Sequence, residues 1–235
     1  MKPYNILITG GSGRLCGEIL KANQQYHNII APPKMEMDIT NYDCISEVVK
    51  TTKPDIIIHA AALTNPLSIH EENPTKSINI NIVGTCNIVK ICIENDIKLI
   101  YISTDYVYPK NKINLKETDA LLPFNNYGWS KLGGECAVKM HKKHLIIRGS
   151  LYPTPFPHEK AFSNILRNNI YQDEAARIIL LLLEKEGTIN IGSNETKSYF
   201  ELAKQTNKNV IASICTQEDM ASIMILNLDK LNNYL

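Results

Sequence analysis

Short apolar runs alternate along this chain with longer stretches in which apolar residues recur every three or four positions. Residues 4–9 (YNILIT), 28–31, 55–60 (DIIIHA), 98–103 (KLIYIS) and 145–148 (LIIR) are short, rich in Ile and Leu, and bounded by Gly, Pro or polar residues. Runs of that length and composition read as buried strands. Between them, 13–25 carries Leu15, Ile19, Leu20 and Ala22 at helical spacing. Thr40 or Asn41 can cap a helix to about residue 52, with Ile45, Val48 and Val49 on one face. Residues 74–95 read as one long helix with Ile78, Ile82, Val89 and Ile93 inward, and 127–141 as another behind a loop over 109–126. After Arg148, Pro153, Pro155 and Pro157 at alternate positions block helix and central strand alike. Residues 173–185 then predict an amphipathic helix, 188–191 (TINI) a sixth strand, 199–205 a helix, 209–214 a further strand and 229–235 a terminal helical turn.

Strands separated by helices imply parallel pairing through right-handed crossovers. The expected class is α/β: an open, doubly wound parallel sheet with helices on both faces, the NAD(P)-binding Rossmann fold. The 235 residues suffice for one sizeable core with a small appendage. The expected division is a dinucleotide-binding unit over 1–148 and a reduced substrate lobe over 149–235 that adds a further strand and helices to the sheet.

Composition removes several function classes. A net charge of +1 provides no field favouring nucleic acid or an anionic membrane. The longest apolar run, 178–183, is too short to span a bilayer. The segment from Met1 lacks the charged, apolar and small-residue sequence of a secretory leader, so a cytoplasmic protein is expected. Cys16, Cys44, Cys86, Cys92, Cys136 and Cys215 form no Cys-x-x-Cys pair and have no His at ligand spacing. They read as small buried or half-buried apolar residues, and no metal site is expected.

The first candidate for chemistry is the turn Thr9-Gly10-Gly11-Ser12-Gly13-Arg14-Leu15-Cys16-Gly17, between the first strand and the first helix. Glycines there let a phosphate approach the backbone, and the helix start offers free N–H groups to a pyrophosphate. A tight strand–helix turn without a ligand is the bland alternative. Cys16 stands where a third glycine would permit close helix–strand packing. The end of the second strand, Ala31-Pro32-Pro33-Lys34, has no acid to bind a ribose 2′-hydroxyl, whereas Arg14 and Lys34 could meet a 2′-phosphate. NADP(H) is therefore favoured over NAD(H).

The second candidate is Tyr127-Gly128-Trp129-Ser130-Lys131, which puts a phenol and an ammonium on one helix face. A nearby lysine is expected to lower the phenol's pKa, fitting it for acid–base work on a carbonyl or carbinol oxygen. Ser103 and Thr104 close the fourth strand, where ligands of such sheets gather, and Thr104 could bind the same oxygen. Alternatively, both simply satisfy turn amides.

Taken in order, TGGSGRLCG, DIIIHAAALT, NIVGTCN, IYISTDYVY and YGWSK resemble the extended short-chain dehydrogenase/reductase superfamily, and within it the dTDP-4-dehydrorhamnose reductase-like branch. The resemblance covers about residues 4–152; EAAR at 174–177, Gly192-Ser193 and Lys197-Ser198-Tyr199 match later segments loosely. It implies catalytic roles for Thr104, Tyr127 and Lys131. It places Gly10, Ser12, Gly13, Arg14 and Leu15 at the pyrophosphate, and Asp38 and Ile39 beside the adenine. Ala60, Ala61, Ala62 and Ser103 would line the dinucleotide. Asn81 would stand in a proton or water relay, Lys131 would hold the cofactor ribose, and Tyr152 and Pro153 would lie near the nicotinamide. The implied reaction is reduction of a nucleotide-linked 4-keto-6-deoxy sugar by NAD(P)H. Nucleotide-sugar epimerisation, alone or combined with reduction, and a non-catalytic NADP-binding regulatory subunit are the alternatives. A homodimer is a further possibility.

The chain departs from that branch in having only about 85 residues after Arg148, and Gly149-Ser150-Leu151 where a Trp is usual. Residues 155–161 read either as a substrate-facing loop or as a rigid connection. His59 reads as a hydrogen-bonded core residue, His141 and His144 as solvated surface. His70, Glu71 and Glu72 open a helix whose dipole suits acids, with a role in substrate binding as the alternative. Asn194-Glu195-Thr196 fits a glycosylation acceptor that a cytoplasmic chain would not use.

Overall fold

The computed structural model describes residues 2–216 and 220–235, so Met1, where the leader pattern was sought, lies outside the described residues. Six strands form the central sheet: β1 (Asn5–Thr9), β2 (Asn28–Ile30), β3 (Ile56–His59), β4 (Lys98–Ile102), β5 (His144–Arg148) and β6 (Gly187–Asn190). Their spatial order is β6-β5-β4-β3-β1-β2, and every pairing is parallel. The longer helices are α1 (Arg14–Asn23), α2 (Tyr42–Thr52), α3 (Gly84–Glu94), α4 (Asn126–Val138), α5 (Gln172–Leu181) and α6 (Tyr199–Thr206).

Strand alternation decides which helix covers which face. Ile6, Ile8, Ile56, Ile58, Ile100, Leu145 and Ile147 point to one side, where Cys16 and Ile19 of α1 and Ala175, Ala176 and Ile179 of α5 cover them. Leu7, Ile57, Leu99, Tyr101 and Ile146 point to the other, against α2, α3 and the end of α4. Both faces are buried, which is why the strands read as unbroken apolar runs. Each fully buried Ile or Leu contributes about 1.5–3 kcal/mol. Cys16, 1% exposed, packs between α1 and the sheet in the role expected of the third glycine.

The predicted helix over 74–95 is three pieces: Pro74–Ser77, a π-helical stretch Ile78–Val83, and α3. A π turn inserts a residue and rotates the helix face. The inward positions become Asn81, Thr85, Ile88 and Cys92, while Ile78 and Ile93, expected inward, are about half exposed. The predicted loop over 109–126 contains a strand, Lys112–Leu115, which pairs in parallel with Ile223–Leu226. Residues 209–214 supply a strand only at Ile211–Ser213, and it joins Lys160–Phe162 outside the central sheet.

The chain after Arg148 returns to that sheet through β6, and α5 packs beside α1. Its remaining segments build two small cores. One joins Val107, Tyr108 and Leu115 to Met224 and Leu226; the other gathers Phe156, Ala161, Tyr199, Ala203 and Val210. Phe156 is buried there, and its N–H donates to Thr206 Oγ1 at 3.0 Å, so this part of 155–161 is a packed connection.

Candidate active site

The glycine turn sits where the strand order reverses about β1, with β2 on one side and β3 on the other. Ligands of open α/β sheets occupy the crevice at such a point. Gly10 has φ +77°, and a Cβ there would lie 3.0 Å from the backbone of Ala61, just beyond β3. At Gly11 a Cβ would stand 2.1 Å from the Ala31 carbonyl oxygen, just beyond β2. The turn is therefore pressed between both neighbouring strand ends and admits no side chain at either position.

Helix α1 begins without a side-chain cap and without an acid in its first turn, whereas α2 has both, in Asn41 and Asp43. The first-turn amides of α1 have no intrahelical partner, and Ser12, Gly13 and Arg14 are exposed beside them. This donor set fits a pyrophosphate. Ala60, Ala61 and Ala62 are half-buried alongside. Asp38 accepts hydrogen bonds from Thr40 N and Oγ1 and pairs with Lys34 at 3.6 Å; the Thr40 amide, first among these, holds its carboxyl below the ordinary range. Ile39 is a core side chain packed towards Gly84, which leaves only its backbone for an adenine. The hollow lined by Pro3, Leu20, Tyr26 and Ile29 lies at the amino-terminal end of β2, away from this crevice.

Thr104, Tyr127 and Lys131 come from the turn after β4 and from α4. Thr104 caps the 3-10 turn Asp105–Val107, and its hydroxyl donates to Asp105 Oδ1 at 3.2 Å beside the Tyr127 phenol. Tyr127 stands on the first turn of α4, which Asn125 caps through the Gly128 amide at 2.9 Å. Burial pushes the Tyr127 phenol up to about 12; Thr104 pulls it down and the Asp105 charge pushes it further up. Lys131 is 2% exposed. Its Nζ donates to the Ile102 carbonyl at 2.8 Å and lies 4.1 Å above the Tyr101 ring. Burial brings its pKa down to about 7, against the opposing charge of Glu135. The expected lowering of the phenol by Lys131 is thus corrected. The ammonium is engaged with β4, and burial sets the phenol's pKa.

That depressed lysine has a measurable consequence. Below about pH 7 Lys131 is charged in folded and unfolded chains alike, and the full burial penalty applies. Between there and the ordinary lysine value of about 10.4 the unfolded chain binds more protons, so its contribution to stability rises with pH. Urea unfolding from pH 7 to 10 should show a shallower rise for Lys131→Met than for the wild type; equal slopes would refute the assignment.

Asn81, expected in a proton or water relay, is held by the loop after β3 and by α4. Its Nδ2 donates to the Leu63 carbonyl and to Ser130 Oγ, both at 2.9 Å, and its Oδ1 accepts from the Leu63 amide at 2.7 Å. It ties the loop after β3 to α4. The Ser103 hydroxyl donates to Glu135 Oε1 at 2.5 Å and faces the interior. Tyr152 is half-buried and packs on Tyr199 and Phe156, with ring centroids 5.1 and 6.0 Å apart.

Several buried polar groups lay outside the sequence reading. Arg148 and Glu135, both without exposure, form a two-pronged pair at 3.0 and 2.7 Å. Arg148 continues to the Tyr108 hydroxyl at 2.9 Å, which donates to Asn190 Oδ1 at 2.9 Å. Asp105 faces buried Arg167 at 3.6 Å. The spacing 127, 131, 135 on α4 was the available sign of the first set. His59 is the core residue expected, bridging Thr9 and Thr85 at 2.7 and 3.0 Å, and burial lowers it to about 3. His141 is not surface: it is 5% exposed, with Nε2 at 2.8 Å from the Ile97 carbonyl. His70 is fully buried, and Cys136 is exposed rather than buried or half-buried.

The sequence profile of the RmlD substrate binding domain matches residues 4–180. The chain belongs to that family. Among RmlD-like proteins, the dTDP-4-dehydrorhamnose reductase of Escherichia coli (strain K12) is 37% identical over 152 residues, 62% of this chain and 50% of that protein. Methionine adenosyltransferase 2 subunit beta of Bos taurus is 32% identical over 141 residues, 57% of this chain and 42% of that one. The chain spans about half the length of these sequence relatives. A Bacillus anthracis dTDP-4-dehydrorhamnose reductase, solved in complex with NADP, superposes with a TM-score of 0.89 at 26% identity, covering 100% of this chain and 94% of that one. The RmlD family membership thus accords with the Rossmann-type sheet and the motif order.

Proposed function

We propose that the chain is an NADP(H)-dependent reductase of a nucleotide-linked 4-keto-6-deoxy sugar. The observation that carries this reading is that Thr104 follows β4 and the uncapped start of α1 follows β1, both at the carboxyl-terminal edge of one parallel sheet, with Lys131 of the Tyr127 helix bound to the last residue of β4. The dinucleotide, when bound, supplies a hydride. Thr104 orients the substrate carbonyl, and Tyr127 gives its proton to the oxygen that gains charge. Lys131, buried at the crevice floor, is placed to take the cofactor ribose. Arg14, exposed at the start of α1, serves the 2′-phosphate, aided by Lys34, whose charge Asp38 partly answers. The small cores after Arg148 form the substrate side. The names of the reductase relatives and the NADP in the Bacillus structure support this reading.

The experiment is to supply purified protein with a panel of dTDP- and UDP-linked 4-keto-6-deoxy sugars and follow NADPH absorbance. Oxidation with one donor is expected, with NADPH binding at least about tenfold tighter than NADH, a difference of about 1.4 kcal/mol. Isomerised sugar without oxidation would mean an epimerase. Tight NADPH binding with no conversion would mean a regulatory subunit, the reading that the adenosyltransferase relative brings in.

A further inference from the structure

His70 sits on the short helix Ser68–Glu72 with no exposure to solvent. That helix is fastened to the start of α4: the Asn126 amide donates to Glu71 Oε1 at 2.9 Å, and Asn126 Nδ2 donates to the His70 carbonyl at 3.3 Å. The imidazole meets the Tyr127 ring, with centroids 5.1 Å apart and planes at 55°. Its Nδ1 is bound to the hydroxyl of Ser77, itself 2% exposed. Its Nε2 is buried without a well-formed hydrogen bond. Leaving a buried polar nitrogen open is unfavourable, and such atoms in a folded chain call for an explanation.

We propose that His70 is a positioning residue for Tyr127: its neutral imidazole, anchored by Ser77, props the phenol against Thr104 and keeps it aimed into the crevice. The proposal rests on the reductase reading above. Two ring contacts are described for Tyr127: the Tyr106 ring meets it edge-on at 5.5 Å, and His70 closes another side. Lys131, expected to tune the phenol, is engaged with the Ile102 carbonyl. The orientation of the ring therefore depends on His70 and Tyr106.

The charge state of His70 matters to this contact. The groups around it are Tyr127 on α4, Ser77 on the following turn, the Thr64 backbone and its own neighbour Glu71. Burial holds the imidazole below its ordinary value, with the Thr64 backbone and the Glu71 charge opposing. It is neutral at pH 7. Protonation on the acid side places a cation against an uncharged phenol and alters the packing that aims it.

The test compares the wild type with His70→Ala, which removes the ring, and His70→Phe, which keeps a ring without nitrogens. With NADPH and the accepted sugar nucleotide, His70→Ala should lower kcat about tenfold to a hundredfold while the Kd for NADPH holds, as expected when a reacting group is misplaced. The wild type should lose turnover below the ordinary imidazole value of about 6.5, and His70→Phe should not. A kcat within twofold of wild type in His70→Ala, or the same acid limb in His70→Phe, would overturn the proposal. Long-range ¹H–¹⁵N spectra of the imidazole give a readout free of turnover. His70 should titrate at higher pH in Tyr127→Ala than in wild type, because removing the phenol admits water; an unchanged titration also overturns the coupling. No turnover by the wild type on any sugar nucleotide would instead defeat the reductase reading, and the role in that reaction with it.

Discussion

Tyr127→Phe should lower kcat by about a thousandfold, within the range that a positioned general acid contributes. The Kd for NADPH should stay within about twofold, because the glycine turn and the start of α1 are untouched. The argument runs from the phenol's surroundings. With burial pushing it to about 12, the hydroxyl is protonated across the neutral range. A site that reduces a carbonyl needs the acid form in its resting state, and this one holds it without help from Lys131. Thr104, which lowers the phenol's pKa against the burial, stands at the end of β4, where a substrate oxygen would lie. Phe keeps the ring between His70 and Tyr106, so the packing survives and only the proton is lost. Retained turnover in Tyr127→Phe, with NADPH consumption as the readout, would remove the phenol from the mechanism. The reverse oxidation requires the phenolate, so its rate should climb with pH up to the highest values the fold tolerates. A flat profile for oxidation would show that another group takes the proton.

The parts of the molecule that could be read from sequence are those whose physics is local. Strands buried on both faces must be apolar at every position, and 4–9, 55–60, 98–103 and 145–148 advertise themselves accordingly. Gly10 and Gly13, Thr104 and Tyr127 lie in motifs whose spacing already states a geometry. What escaped depends on partners far along the chain. The strand Lys112–Leu115 is mostly exposed and pairs with residues more than a hundred positions away, so neither its composition nor its neighbours announce it. The π turn at Ile78–Val83 changes the phase of a pattern that otherwise reads as one helix. Lys131 was placed on the correct face, but its bond goes to a backbone carbonyl, Ile102, which no side-chain pattern reveals. The burial of His70 could not be read from the sequence, because its partners, Ser77 and Tyr127, come from two other elements.

Arg148→Met should destabilise the fold by about 3–5 kcal/mol, measured by urea unfolding, because it leaves a buried carboxylate without its cation. Glu135 has no exposure, and besides Arg148 its oxygens are met by Ser103 alone among the side-chain hydrogen bonds described. Met fills the aliphatic part of the arginine but offers no donor, so the Tyr108 hydroxyl loses a partner as well. The second variant decides between a lost attraction and an orphaned charge. If the loss comes from the unpaired carboxylate, Arg148→Met with Glu135→Leu should be more stable than Arg148→Met alone, since contacting residues are strongly non-additive. If the double variant is weaker still, the pair itself holds β5 to α4. The same double variant removes the charge that supports the ammonium of Lys131. Its lysine should then titrate lower than in wild type, which ties this buried pair to the electrostatics of the crevice floor.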